Sequence, residues 1–163
     1  MVEPQRMDIT KLAPEAYRHL LALEQTTAAK LDRKLFHLLK LRASQINGCA
    51  FCIGMHSDEA MRDGETAERL LLLDAWHESS AFSEKERAAL QWIEELTLIA
   101  DSHASQEAFD GLKKFFSEEE IAYLTLTGVA INAWNRIAIA SRGQYDRAMF
   151  HKVADAAKVA EPA

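Results

Sequence analysis

Three prolines and six glycines are all the strong chain-breaking residues in 163 positions. A fold of many short strands needs a turn roughly every eight to twelve residues, most of them built on Gly, Pro, Asn or Asp. So few breakers leave long segments uninterrupted, and in these the apolar residues recur at helical spacing rather than alternating. No credible strand, linker or low-complexity stretch separates them. The expectation is an all-α fold, a single-domain helical bundle over residues 1–163. With 48% hydrophobic residues, a chain of this length buries a core without disulfide staples.

Punctuation places the helices. Residues 14–24 form a first candidate, followed by polar Gln25-Thr26-Thr27. Asp32 is the N-cap expected for a second, whose Leu35, Leu38 and Leu39 share one face. Ser44, Asn47 and Gly48 break that pattern, and Gly48 suits a C-cap or tight turn because it takes positive φ at no steric cost. A third helix is expected over about 49–62, with Gly64 as its stop. Thr66 caps a short one reaching 70–76. Ser83 with Glu86 is a capping box that opens a helix to about Ala100, and residues 106–116 suggest another short helix. Ser117 with Glu120 is a second capping box, and the acidic run Glu118-Glu119-Glu120 suits the positive end of the helix it opens. That helix runs to about Ser141, before Gly143. Its middle is apolar nearly all round, which implies burial on several sides, centrally or at a subunit contact. The pattern after Gly143 is weaker.

Charge excludes some partners. A net charge of −6, a pI of about 5.5 and no lysine/arginine block argue against nucleic acid. The opening residues are too polar for a signal peptide, and no apolar run is long enough to cross a membrane. The expected location is cytoplasmic, where thiols stay reduced and structural disulfides are unusual. The only two cysteines lie within four residues of each other. A bridge between them closes almost no loop and adds little as a staple, which leaves reactivity or metal binding.

The informative segment is Asn47-Gly48-Cys49-Ala50-Phe51-Cys52-Ile53-Gly54-Met55-His56. If Cys49 opens a helix, Cys52 lies one turn on and His56 one turn beyond it, all three on one stripe. Unpaired N–H groups and the positive dipole end at the first turn favour thiolate over thiol. His56 can then accept or relay a proton at neutral pH. A nucleophile, a second thiol and a proton relay suit peroxide reduction or disulfide exchange. Cys-x-x-Cys is also half of many zinc sites, but no second such pair and no downstream His pair accompanies it. Two buried structural cysteines are the remaining alternative. His19, His77, His103 and His151 have no partner spacing and are taken as surface or packing residues; Trp76, Trp92 and Trp134 are taken as core. Hydrolase, kinase and dinucleotide signatures are absent.

The run Leu41-Arg42-Ala43-Ser44-Gln45-Ile46-Asn47-Gly48-Cys49-Ala50-Phe51-Cys52, with His56 following, resembles the AhpD-like alkylhydroperoxidases of the carboxymuconolactone decarboxylase family. Ala130-Ile131-Asn132-Ala133-Trp134-Asn135-Arg136 is similar to a branch of the same family, and the likeness spans about 15–142. The resemblance implies an AhpD-like helical bundle, a homo-oligomer (trimer or hexamer) and thiol peroxidase activity with no bound cofactor. It implies that Cys52 attacks a hydroperoxide, that Cys49 resolves the sulfenic acid, and that His56 serves the proton relay. A dithiol protein or small thiol then reduces the disulfide. The family's relay glutamate, twelve residues before the first cysteine, is His37 here, and His37 is expected to take over that place. Lactone decarboxylation, which needs no redox pair, and a non-catalytic redox-sensing or metal-binding module are the alternative functions.

Overall fold

A computed structural model describes residues 3–148, which contain nine α-helices and no strand. The weaker pattern after Gly143 runs on past the described residues, and His151 lies outside them. The helices are α1 (Ile9–Leu12), α2 (Pro14–Ala28), α3 (Arg33–Ile46), α4 (Ala50–Arg62), α5 (Ala67–Leu72), α6 (Glu84–Thr97), α7 (Ile99–Ser102), α8 (Gln106–Leu112) and α9 (Glu118–Ser141). A single 3-10 turn, Leu73–Ala75, follows α5.

The cap residues act as their chemistry requires. The Asp32 carboxylate accepts from the Leu35 N–H at 3.0 Å, and the Thr66 hydroxyl from the Arg69 N–H at 3.3 Å. Ser83/Glu86 and Ser117/Glu120 both close as reciprocal capping boxes. Caps of this kind contribute about 1 kcal/mol each.

Three boundaries differ from expectation. Helix α2 continues through Gln25-Thr26-Thr27, because the Thr26 and Thr27 hydroxyls donate back to the Ala22 and Glu24 carbonyls and Thr27 is fully buried. The helix expected to reach Ala100 breaks at Leu98 into α6 and α7. There the Ser102 hydroxyl bonds the Glu95 carbonyl at 2.7 Å, satisfying an acceptor near the break. Helix α8 stops at Leu112 rather than Phe116.

Leu38, Leu39, Leu41, Leu73, Leu90, Ile93, Leu112, Leu124 and Ile131 are the most deeply buried apolar side chains. Burying an aliphatic side chain of this size stabilises by about 1.5–3 kcal/mol. Helix α9 is the central element, packed on α2, α3, α4 and α6. Its low amphipathicity therefore reflects burial on several sides, although Leu126, Val129 and Ile139 still face outward. Gly128 lets α9 approach α6 closely: a Cβ there would lie 2.7 Å from Leu96 Cδ1. Trp76 and Trp92 are buried and Trp134 packs on the core, each with its indole N–H bonded, to Glu94, Thr125 and Glu24. His19, His77 and His103 are exposed. No described helix is long and apolar enough to cross a membrane.

Candidate active site

The site is built on the corner between α3 and α4. Gly48 takes φ +66°, its N–H bonds the Gln45 carbonyl at 3.1 Å, and the Cys49 N–H bonds the Ser44 carbonyl at 3.0 Å. This is a Schellman ending, which satisfies the last carbonyls of α3. Cys49, the residue that completes it, is also the N-cap of α4. One residue thus ends one helix and starts the next. Cys52 follows in the first turn of α4, with His56 one turn further. Helix α4 closes on a second Schellman ending, with Gly64 at φ +84° and Glu65 bonded to the Ala60 carbonyl at 2.9 Å.

Cys49 and Cys52 are not joined in a disulfide, and each is 1% exposed. The Cys52 S–H donates to Cys49, and this bond, helped by the backbone N–H groups of Cys52 and Phe51 and by Asn135, lowers the Cys49 pKa to about 7 against the cost of burial. The same bond, together with burial and the neighbouring charge, raises Cys52. Above about pH 7 the reduced pair therefore carries one negative charge, resting on Cys49 at the helix N-terminus.

Asn135 of α9 organises this corner. Its side chain is fully buried and bonds both sulfurs, while Nδ2 donates to Ser44 Oγ at 3.0 Å and Oδ1 accepts from Asn47 Nδ2 at 2.8 Å. Asn47 Nδ2 also reaches Asn132 Oδ1 at 3.0 Å. The Asn-Gly turn and the Asn-rich run of α9 are thereby joined through a single amide network.

His56 is 1% exposed, and its Nδ1–H donates to Glu59 Oε2 at 2.7 Å, one turn on in α4. That bond fixes the tautomer and leaves Nε2 as an acceptor, buried with no hydrogen-bond partner. Burial, followed by the nearby Lys40 charge, lowers the His56 pKa to about 4 despite Glu59, so the ring is neutral at pH 7. Burial pushes Glu59 up, but its bond to His56 and the charges around it hold it below the usual carboxylate range.

His37, on α3, lines a cleft with Lys40, Glu59 and Asp63. Its Nε2 meets Asp63 Oδ2 at 2.5 Å, and Arg33 Nε donates to the same oxygen at 2.5 Å. His37 Nδ1 has no hydrogen-bond partner, so the two buried histidines do not bond one another. One turn along α3, Lys40 is buried and paired with Glu24 of α2.

One cleft borders the corner and a second lies along α3 and α4. One, of about 290 Å³, is lined by Cys49, Phe51, Ala138, Ile139 and Arg142; the other, of about 360 Å³, by His37, Lys40, Glu59 and Asp63 among others. Among the described residues no group of three His, Cys, Asp or Glu side chains is arranged to hold a metal ion. Of the four residues singled out in the sequence, Cys49, Cys52 and His56 share the α4 stripe, while His37 is carried by α3. Glu59, Lys40 and Asn135 were not singled out. Glu59 was within reach of the i, i+3 rule from His56; Asn135 meets the cysteines only through tertiary packing.

The chain matches the carboxymuconolactone decarboxylase family over residues 14–95. It is 39% identical over 137 residues to the uncharacterized protein YdfG of Bacillus subtilis (strain 168), covering 83% of this chain and 93% of that one. Among solved structures it resembles ATU0492 of Agrobacterium tumefaciens, a protein of unknown function provisionally assigned to antioxidant defence as AhpD. The identity is 42% and the TM-score 0.85, over 88% of this chain and 99% of that one. The debrominase Bmp8 is similar at 22% identity and a TM-score of 0.73, over 85% of this chain and 75% of that one; this likeness shows the fold alone. The bundle is AhpD-like. The chain belongs to the carboxymuconolactone decarboxylase family.

Proposed function

We propose that the protein is a thiol peroxidase that reduces organic hydroperoxides or hydrogen peroxide through a Cys49–Cys52 disulfide cycle. The observation that carries this reading is the singly charged thiol pair at the start of α4, one turn from a neutral histidine with a free acceptor nitrogen. Fold alone does not choose among the chemistries of such a bundle; the dithiol supports peroxide reduction, since lactone decarboxylation has no use for it.

In the cycle, a proton first passes along the S–H···S bond from Cys52 to Cys49, leaving the thiolate on Cys52. Cys52 Sγ attacks the terminal peroxide oxygen, the O–O bond breaks, and the alkoxide leaves as the alcohol after taking a proton. That proton comes from solvent, taken up by His56 at Nε2 and passed on, with Glu59 orienting the ring. Cys49 Sγ then displaces hydroxide from the Cys52 sulfenic acid and its thiol proton joins the hydroxide, giving the disulfide and water. Two electrons and two protons from an external dithiol, or from two small thiols, restore the singly charged pair, one of the protons returning to solvent. The cleft beside Cys49 suits entry of the reducing thiol. No bound cofactor is needed, because the sulfurs carry the electrons.

The test is substitution of each sulfur. Cys52→Ser is expected to abolish peroxide consumption, and Cys49→Ser to halt after one fast turnover with Cys52 trapped as sulfenic acid or mixed disulfide. If Cys52→Ser keeps the fast step and Cys49→Ser loses it, the roles are reversed. If neither change affects peroxide consumption, the dithiol is not the catalyst.

A further inference from the structure

The cycle requires the charge to leave Cys49, where it rests, and appear on Cys52. Lys40 is placed to favour that. It is 3% exposed, its ammonium is paired with Glu24 of α2, and it lies 4.9 Å from the Phe36 ring centroid. It also sits one turn before Ser44 on the same face of α3, and the Ser44 hydroxyl donates to the Lys40 carbonyl at 2.7 Å. Ser44 is the residue through which Asn135, in contact with both sulfurs, is tied to α3. The face of α3 that carries Lys40 is therefore the face that meets the dithiol.

We propose that the Lys40 ammonium, held by Glu24, is the positioning residue that draws the negative charge of the reduced pair from Cys49 onto Cys52 and so makes Cys52 the attacking sulfur. A buried lysine is costly unless its charge is used or paired, and Arg33, Arg62 and Asp63 line the same cleft as this one. Glu24 faces it from α2, His37 accompanies it on α3, and Cys52, His56 and Glu59 approach from α4. Helix α9 adds Asn135 and Trp134, neither of which carries charge, and Glu94 of α6 is engaged by Arg42 at 2.6 Å and by Trp76 at 2.7 Å. Lys40 and Cys52 act on each other electrostatically: the ammonium favours the Cys52 thiolate, and the thiolate favours the ammonium. Burial, the larger influence, brings Lys40 down to about 8, so it is still mostly charged at pH 7. The proton that leaves Cys52 Sγ goes to Cys49 Sγ, and Lys40 neither gives nor takes it. The lysine acts by its field.

This inference rests on the reading of Cys52 as the attacking thiolate, but its test does not need peroxide. In full-length protein carrying Cys49→Ser, Cys52 titrates alone, and its thiolate can be followed by absorbance at 240 nm and by the pH dependence of iodoacetamide alkylation. Lys40→Met in this background is expected to raise the Cys52 midpoint by about one unit or more, cutting thiolate near neutral pH by about tenfold. Lys40→Arg, which keeps the charge, should restore most of the shift. Because Lys40→Met leaves the half-buried Glu24 without its cation, the paired change Glu24→Gln with Lys40→Met serves as a second, charge-neutral variant. A Cys52 midpoint unmoved in both variants overturns the proposal. A raised midpoint in a protein whose wild type consumes no peroxide sustains the role of Lys40 and removes the peroxidase reading instead.

Discussion

Two thiols that share one proton behave as a unit, and the residue scale is where this is measured. Reduced wild-type protein is expected to show one thiolate per chain appearing around pH 7 at 240 nm, with the second delayed far into the alkaline range. Two independent titrations near the ordinary thiol value would contradict the S–H···S bond. Glu59→Gln removes the charge that orients His56 without emptying its place; peroxide consumption should fall about 10- to 100-fold with little change in folding. An unchanged rate would leave His56 without need of a carboxylate. Cys49, Cys52 and His56 were legible in the sequence because they lie within eight consecutive positions of a single turn-and-helix. Lys40 and Asn135 were not, because nothing local connects them to the cysteines. The packing of α3 and α9 on α4 does so.

At the scale of elements, the corner between α3 and α4 depends on a left-handed glycine. Gly48→Ala meets no atom within 4 Å, so its cost is conformational, about 1 kcal/mol, read as a lower urea midpoint at unchanged slope. A larger loss would mean that the turn reshapes around the new Cβ. His37 shows how an element's end can bind a side chain of the helix before it. Sequence spacing places it where the family carries its relay glutamate, and Asp63, at the close of α4, bonds its Nε2. The carboxylate bonded to His56 is Glu59 of α4 itself. His37→Glu would therefore set one carboxylate against another, with an expected loss of about 1–3 kcal/mol and no gain in peroxide rate. A faster enzyme would return the relay to position 37. The capping boxes were readable because they are contiguous signals. The break at Leu98 and the extension of α2 were not, since both depend on hydroxyl-to-carbonyl bonds whose choice of acceptor the sequence leaves open.

Across the whole molecule, the buried neutral histidine sets a pH limit. His56 has a folded pKa of about 4 against an ordinary 6.5, so between those values the unfolded chain binds a proton that the native chain refuses. Stability is full above about pH 6.5 and falls on acidification toward pH 4, by about 3 kcal/mol from this group. Below that, protonation of Glu59 and Asp63, both held low in the folded chain, adds further loss. His56→Gln should flatten the decline between pH 6.5 and 4 in urea titrations; an unchanged slope would place its cause elsewhere. Burial of α9 on several sides was foreseeable from its nearly uniform apolarity, but not which neighbours cover it.

The most direct test is a thiol count on purified, reduced protein before and after one equivalent of cumene hydroperoxide, with metal analysis of the same sample. Loss of two thiols per chain within seconds, without stoichiometric metal, is the predicted result. Two thiols that persist, or a metal bound one to one, would contradict the peroxidase account.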